Sequence, residues 1–211
     1  MNFIDLSHFI SPKMSVYPGD DLPEIEITRR IELDDYRQTS LFISSHTGTH
    51  VDAPAHILKE GKYLSNFPLN YFVGEAVIII IPYMIDVITK EFLQAFEKEL
   101  QEAQFVLLNT GWGQNWGTNK YYKNFPVLEN DAAEYLTEFT ITGVGMDTPS
   151  ADPVNSADLK NHKILLGNEI ILIENLYFPE DMEELQGEFF CFPLPYPNAD
   201  GSPVRAVLKI N

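Results

Sequence analysis

Basic side chains are scarce in this chain: 14 Lys and Arg stand against 31 Asp and Glu, leaving a formal charge of −17 over 211 residues. Nucleic acid, whose phosphate backbone rewards clustered Lys and Arg, is therefore excluded as a partner. Cysteine occurs once, as Cys191, which rules out an intramolecular disulfide framework and a multi-cysteine zinc site. Set within FFCFPL, that thiol reads as a small buried hydrophobe. No stretch approaches the ~20 apolar residues that cross a bilayer. The opening MNFIDLSHFI has neither a basic n-region nor a long apolar segment, so the expected setting is cytoplasmic, soluble and without a membrane partner. Internal repeats, low-complexity tracts and linkers are missing too, and residues 1–211 read as a single domain.

What is present is globular in composition, with 45% hydrophobic and 21% charged residues. The first third alternates short β-prone runs (Phe3 to Leu6, Glu24 to Leu33, Ser40 to Ser44) with turn signals such as VYPGDD. From Ala76 the pattern changes. AVIIIIP, FVLLNTG, ITGVGMD and EIILIEN are apolar runs of the kind buried on both faces of a sheet. Between them lie helical patterns. Thr89 can cap TKEFLQAFEKELQEA, in which Phe92, Leu93, Phe96 and Leu100 share a face, Asn130 can cap a helix through Leu136, and Ser156 can cap ADLKNHKILL, which Gly167 ends. This alternation predicts an α/β fold with a mixed, partly parallel sheet.

Three of the five histidines fall within eleven residues, in HTGTHVDAPAH from His46 to His56. His46, His50, Asp52 and His56 share parity, so a straight strand points them to one face. That strand would hold His46 and His50 ~13 Å apart, at ~3.3 Å per residue. Imidazoles sharing one zinc sit only ~2.0–2.1 Å from it. Gly48 can supply the bend that brings them together, and Pro54 turns the chain so that His56 sits at another height. Imidazole plus carboxylate suits zinc, manganese or ferrous iron, and a carboxylate can bridge two ions. Further ligands must come from elsewhere. His8, His162 and Glu174 are the candidates; Glu174 ends an apolar strand, where an unpaired carboxylate is costly.

These residues resemble the metal-dependent cyclase-like hydrolases, a family that includes bacterial kynurenine formamidases and isatin hydrolases. The family signature H-x-G-T-H-x-D-x-P-x-H is met at every fixed position from His46 to His56. IDLSHFISPKMSVYPGD, LLNTGW, GMDTPSADP, HKILLGNEIILIENL and DGSPVRAVL are similar to further family segments along the whole chain. The resemblance implies a swivelling β/β/α domain and assembly as a homodimer or higher homo-oligomer. It implies that His46, His50 and Asp52 hold one divalent ion. Asp52 then bridges to a second ion held by His162 and Glu174, with Zn2+ expected first and Mn2+ as the alternative. His56 becomes the general acid and base rather than a ligand, and Tyr17, where kynurenine formamidases commonly carry tryptophan, lines the substrate pocket.

The reaction implied is hydrolysis of an amide-type C–N bond in a small molecule, foremost N-formylkynurenine to kynurenine and formate in tryptophan catabolism. An isatin-like cyclic amide or a lactone is the alternative substrate. Two rival readings are a two-histidine, one-carboxylate iron oxygenase, which leaves His46 and His56 idle, and a non-enzymatic metal-binding protein, which has no use for a free His56. The aromatic loop from Gly111 to Tyr122 is read as a surface loop that could face a substrate or a second subunit. Asp147 and Asp152 are read as loop structure.

Overall fold

The computed structural model describes residues 2–180, 182 and 185–210. Thirteen strands run in chain order as β1 Asn2–Asp5, β2 Glu24–Arg29, β3 Gln38–Phe42, β4 His50–Asp52, β5 Val73–Ile80, β6 Val87–Ile88, β7 Phe105–Asn109, β8 Val127–Leu128, β9 Gly143–Met146, β10 Ile171–Glu174, β11 Gln186–Phe190, β12 Gly201–Pro203 and β13 Val207–Ile210. Five α-helices accompany them among the described residues: α1 Ile31–Asp34, α2 Lys90–Gln94, α3 Glu97–Glu102, α4 Asn130–Leu136 and α5 Lys160–Gly167. Nine strands form one mixed sheet in the order β1-β13-β11-β5-β7-β9-β10-β4-β12. Its centre, β5-β7-β9-β10, is parallel, and both flanks are antiparallel.

The apolar runs are the parallel centre because both of their faces are covered. Along β5, Val77 and Ile79 pack toward Leu93, Leu100, Leu136 and Leu165 of the helices. Ala76 and Ile78 face the other way, toward Phe105, Phe189, Leu208 and Leu6. The sheet is thus the floor shared by two cores.

Local signals were partly overridden. Thr89 caps α2 as expected, its side chain accepting from the Phe92 amide. The single helix expected after it is broken, since Phe96 leaves helical angles (φ −114°, ψ 18°) and separates α2 from α3. Asn130 lies inside α4, with Glu129 at the N-cap. Ser156 is not the cap of α5: its hydroxyl accepts from the Leu159 amide, and the helix starts later, at Lys160. The run from Glu24 to Leu33 is strand only to Arg29 and then turns into α1.

The aromatic loop is tied inward. Trp112 donates its indole N–H to the Tyr121 carbonyl, and Tyr121 is fully buried. Trp116 stacks on His8 with centroids 4.0 Å apart and planes 6° from parallel. His8 Nε2 is buried without a hydrogen-bond partner among the described residues. Burial pushes that imidazole down to about 4, so it is neutral in the fold at pH 7. The unfolded chain then binds more protons between pH ~6.5 and the folded value, and the stability present above pH ~6.5 falls as pH drops through that window. Denaturant titrations at pH 7.5 and 4.5 should show His8→Phe losing about 2 kcal/mol less than the parent over that interval. An equal loss in both proteins would show that His8 stays solvated.

Candidate metal centre

Gly48 holds φ +69°, the left-handed conformation that reverses the chain between His46 and His50. Only His50–Asp52 is strand, locked between β10 and β12 in register pairs Glu174↔His50 and Gly201↔Asp52. Pro54–His56 is one turn of 3-10 helix that carries His56 back over the site. The rings of His46 and His50 consequently stand 5.0 Å apart, and those of His46 and His56 4.1 Å.

Asp52 is the hub. Its Oδ1 is 2.7 Å from His46 Nδ1 and 3.3 Å from His50 Nε2. Its Oδ2 has no hydrogen-bond partner among the described residues although the side chain is 1% exposed, and His162 Nε2 lies 3.9 Å from it. Glu174 completes the group, 3.6 Å from His50 Nε2 through Oε2 and 3.3 Å from His162 Nε2 through Oε1. All five expected ligand residues therefore converge, with His56 beside them. Donor atoms of His50, Asp52 and Glu174 lie within 4.8 Å of one another, as do those of His46, Asp52 and His56. This grouping differs from the expected one in bringing His56 within reach of His46 and Asp52.

Hydrogen bonds behind the rings distinguish the four histidines. His46 Nε2 is 3.1 Å from Asp200 Oδ2, His50 Nδ1 is 2.8 Å from the Gly48 carbonyl, and His162 Nδ1 is 2.7 Å from Asp152 Oδ2. Each acceptor favours the N–H on that nitrogen and turns the other lone pair toward Asp52 and Glu174. Lone pairs facing carboxylate oxygens at these distances repel unless positive charge lies between them. His56 has no such acceptor among the described residues: its nearest carboxylate oxygen there, on Asp200, is 3.9 Å away.

The electrostatics agree. Burial disfavours an imidazolium at His46, yet Asp52 and Asp200 outweigh it and raise that ring to about 9. Burial likewise opposes charge at His162, but Asp152 and Glu174 raise it to about 10. Asp52 is held well below the usual carboxylate range by His46 and His50 despite complete burial. His56 moves the other way: burial lowers it, and the neighbouring imidazoles His46 and His162 add to the effect. The centre thus demands positive charge, as protons or as a metal that displaces them, whereas His56 is kept neutral. An orphaned buried carboxylate oxygen amid lone pairs fits a divalent ion with mixed nitrogen and oxygen ligands.

A cavity of about 230 Å³ opens onto these groups, lined by His46, His50, His56, His162 and Glu174 and walled by Tyr17 and Tyr122. The two tyrosines meet edge to face with centroids 5.9 Å apart, and Tyr17 donates its hydroxyl to the Val154 carbonyl. Tyr17 thus stands on the wall of this cavity. His8 is not among the lining residues.

Four participants were not expected. Asp152, read as loop structure, orients His162 and also accepts from the Asn161 and His162 amides. Asp200 sits behind His46. Asn175 donates to the Gly48 carbonyl, and Tyr121 of the aromatic loop donates to the Asn175 amide oxygen. The segments GMDTPSADP and DGSPVRAVL contain the two aspartates, but Asp152 was read as loop structure and Asp200, 154 residues from His46, was given no role. Asp147 does behave as loop structure, accepting from Thr110 and Gly113.

Residues 4–153 match the model of the Cyclase family, described as "Putative cyclase". The curated kynurenine formamidase of Salinibacter ruber is 32% identical over 211 residues, covering 99% of this chain and 98% of that one. That of Bacillus thuringiensis is 32% identical over 208 residues, covering 98% and 97%. A solved potential metal-dependent hydrolase with cyclase activity superposes with a TM-score of 0.83 at 28% identity, covering 98% of this chain and 96% of that one. Isatin hydrolase A from Labrenzia aggregata shares the fold, with a TM-score of 0.86 at 24% identity, over 98% of this chain and 92% of that one.

Proposed function

The chain belongs to the Cyclase family, with curated kynurenine formamidases among its relatives, and from that premise we propose that it is a metal-dependent hydrolase of aryl formamides, foremost N-formylkynurenine. The observation that carries the reading is the division among the histidines. Three rings are backed by acceptors and aim a lone pair at Asp52 and Glu174, and the fourth, His56, is unbacked, neutral and beside them.

We assign His46, His50 and Asp52 to one divalent ion, and Asp52, His162 and Glu174 to a second, with zinc first and manganese as the alternative. When bound, such an ion lowers the pKa of coordinated water toward ~7 and polarises a carbonyl. The remaining steps fall to the chain. Tyr17 and Tyr122 offer aromatic faces and edges to the aryl ring and turn the formyl group inward. His56 accepts the proton of the attacking water and returns it to the aryl nitrogen as the C–N bond breaks, releasing formate and the free amine. A small cyclic amide of the isatin type presents the same carbonyl to the same groups and is the second reading.

The apolar side chains left uncovered on and beside the β2–β3 hairpin, among them Ile27, Leu33, Leu41 and Phe42, support assembly as a homodimer or higher oligomer. No helix among the described residues is long and apolar enough to cross a membrane, and we place the activity in the cytoplasm, in tryptophan breakdown.

The test is the initial rate of N-formyl-L-kynurenine hydrolysis by chelated protein and by protein resupplied with zinc or manganese. Restored activity with kcat/KM of ~10⁴ M⁻¹s⁻¹ or more is expected. Bound metal with no turnover would move the substrate to a lactam or lactone, and turnover that survives chelation would overturn the metal assignment.

A further inference from the structure

The segment from Asp200 reaches the centre from the far end of the chain, beyond the residues the family model matches. Its attachment is firm. The Asp200 carbonyl accepts from the Ala53 amide at 2.8 Å, and Gly201 pairs with Asp52 across β12 and β4. Two consecutive residues then contact the same imidazole in different ways. Asp200 puts Oδ2 3.1 Å from His46 Nε2. Gly201 lies so close to the ring that a Cβ there would stand 2.5 Å from Cε1 and 2.9 Å from each ring nitrogen. The backbone without a side chain is a shelf for the ring, and the carboxylate is its stop.

We propose that Asp200 and Gly201 are positioning residues that together hold His46 in the orientation and tautomer a metal requires: the carboxylate takes the Nε2 hydrogen, and the bare Cα lets the ring lie where Nδ1 meets Asp52. The inference rests on the reading of His46 as a ligand. Neither residue lines the cavity, so both act through His46. Outer partners of this kind change metal affinity by ~10–100-fold. The shelf explains a glycine that no turn requires, since Gly201 lies within a strand without left-handed angles.

The experiment is a zinc titration of metal-free protein against a chromogenic chelator, with thermal unfolding recorded alongside. Asp200→Ala should raise the zinc dissociation constant about 10–100-fold. Asp200→Asn, whose amide oxygen still accepts from Nε2–H, should restore most of that loss. Gly201→Ala should weaken zinc at least about tenfold, because the added methyl displaces the ring. A role confined to holding the chain would lower the melting temperature of Asp200→Ala without a rescue of zinc affinity by asparagine. A dissociation constant for Asp200→Ala within twofold of the parent overturns the proposal. Where the alanine variant does not fold, Gly201→Ala decides, and a zinc dissociation constant within twofold of the parent in that variant overturns it. No substrate enters the titration, so failure of formamide hydrolysis in the parent would sink the functional reading and leave this result standing.

Discussion

Replacing His56 by alanine should leave the metal content of the protein unchanged and lower kcat by ~10²–10⁴-fold, the usual contribution of a positioned acid or base. The reason lies in what the ring lacks. His46, His50 and His162 are each held from behind and turned toward the carboxylates, whereas no acceptor lies within hydrogen-bonding distance of either His56 nitrogen among the described residues. A ligand is useful when fixed, and a proton carrier is useful when one nitrogen is free. Burial and the neighbouring imidazoles keep His56 neutral, so it can accept a proton at the start of the reaction. Metal analysis and steady-state kinetics on one preparation check both halves. An active His56→Ala enzyme would move the proton transfer to another group, and loss of metal would make His56 a ligand.

Replacing Asp52 by alanine should cost metal as well as rate: loss of the two ions proposed above and a fall in activity exceeding ~10³-fold, beyond the ~10–100-fold typical of partners outside the ligand sphere. This carboxylate is the group to which the imidazoles converge, at 2.7 Å for His46, 3.3 Å for His50 and 3.9 Å for His162. Its removal takes away the main negative charge that raises His46 and leaves buried imidazoles facing one another. Asparagine is the sharper control, since it keeps the shape, one oxygen and the strand while losing the charge. Native mass spectrometry reports the stoichiometry directly. Two ions retained by Asp52→Ala would refute the bridging role, and one retained ion would confine Asp52 to a single site.

The parallel centre of the sheet was legible because β5, β7, β9 and β10 are apolar on both faces, and a run such as AVIIIIP has few other places to go. The helix boundaries were less so. Ser156 has the chemistry of a cap, but Asp152 accepts the Asn161 and His162 amides at the start of α5, and the helix begins near those bonds rather than at the serine. The aromatic loop looked like surface because glycine and polar residues separate its rings. Its tyrosines turned inward, Tyr121 to Asn175 and Tyr122 to the cavity, since Asp147 pins the loop's start from a different strand end.

The sequence by itself determined the chemistry of the centre. Spacing within eleven residues, a glycine able to reverse the chain and a proline to end the strand place three imidazoles and a carboxylate together by local geometry, which short-range backbone constraints suffice to specify. Which nitrogen is free on His46 and His162 was decided only by the tertiary structure, whereas His50 Nδ1 faces the Gly48 carbonyl two residues away. Asp152, Asp200 and the Gly48 carbonyl are brought behind the rings by β12 pairing with β4, by α5 packing beside β10, and by Asn175 reaching across to Gly48. A tautomer is set by the acceptor that faces it, and two of these three acceptors lie far from their histidine or outside its motif.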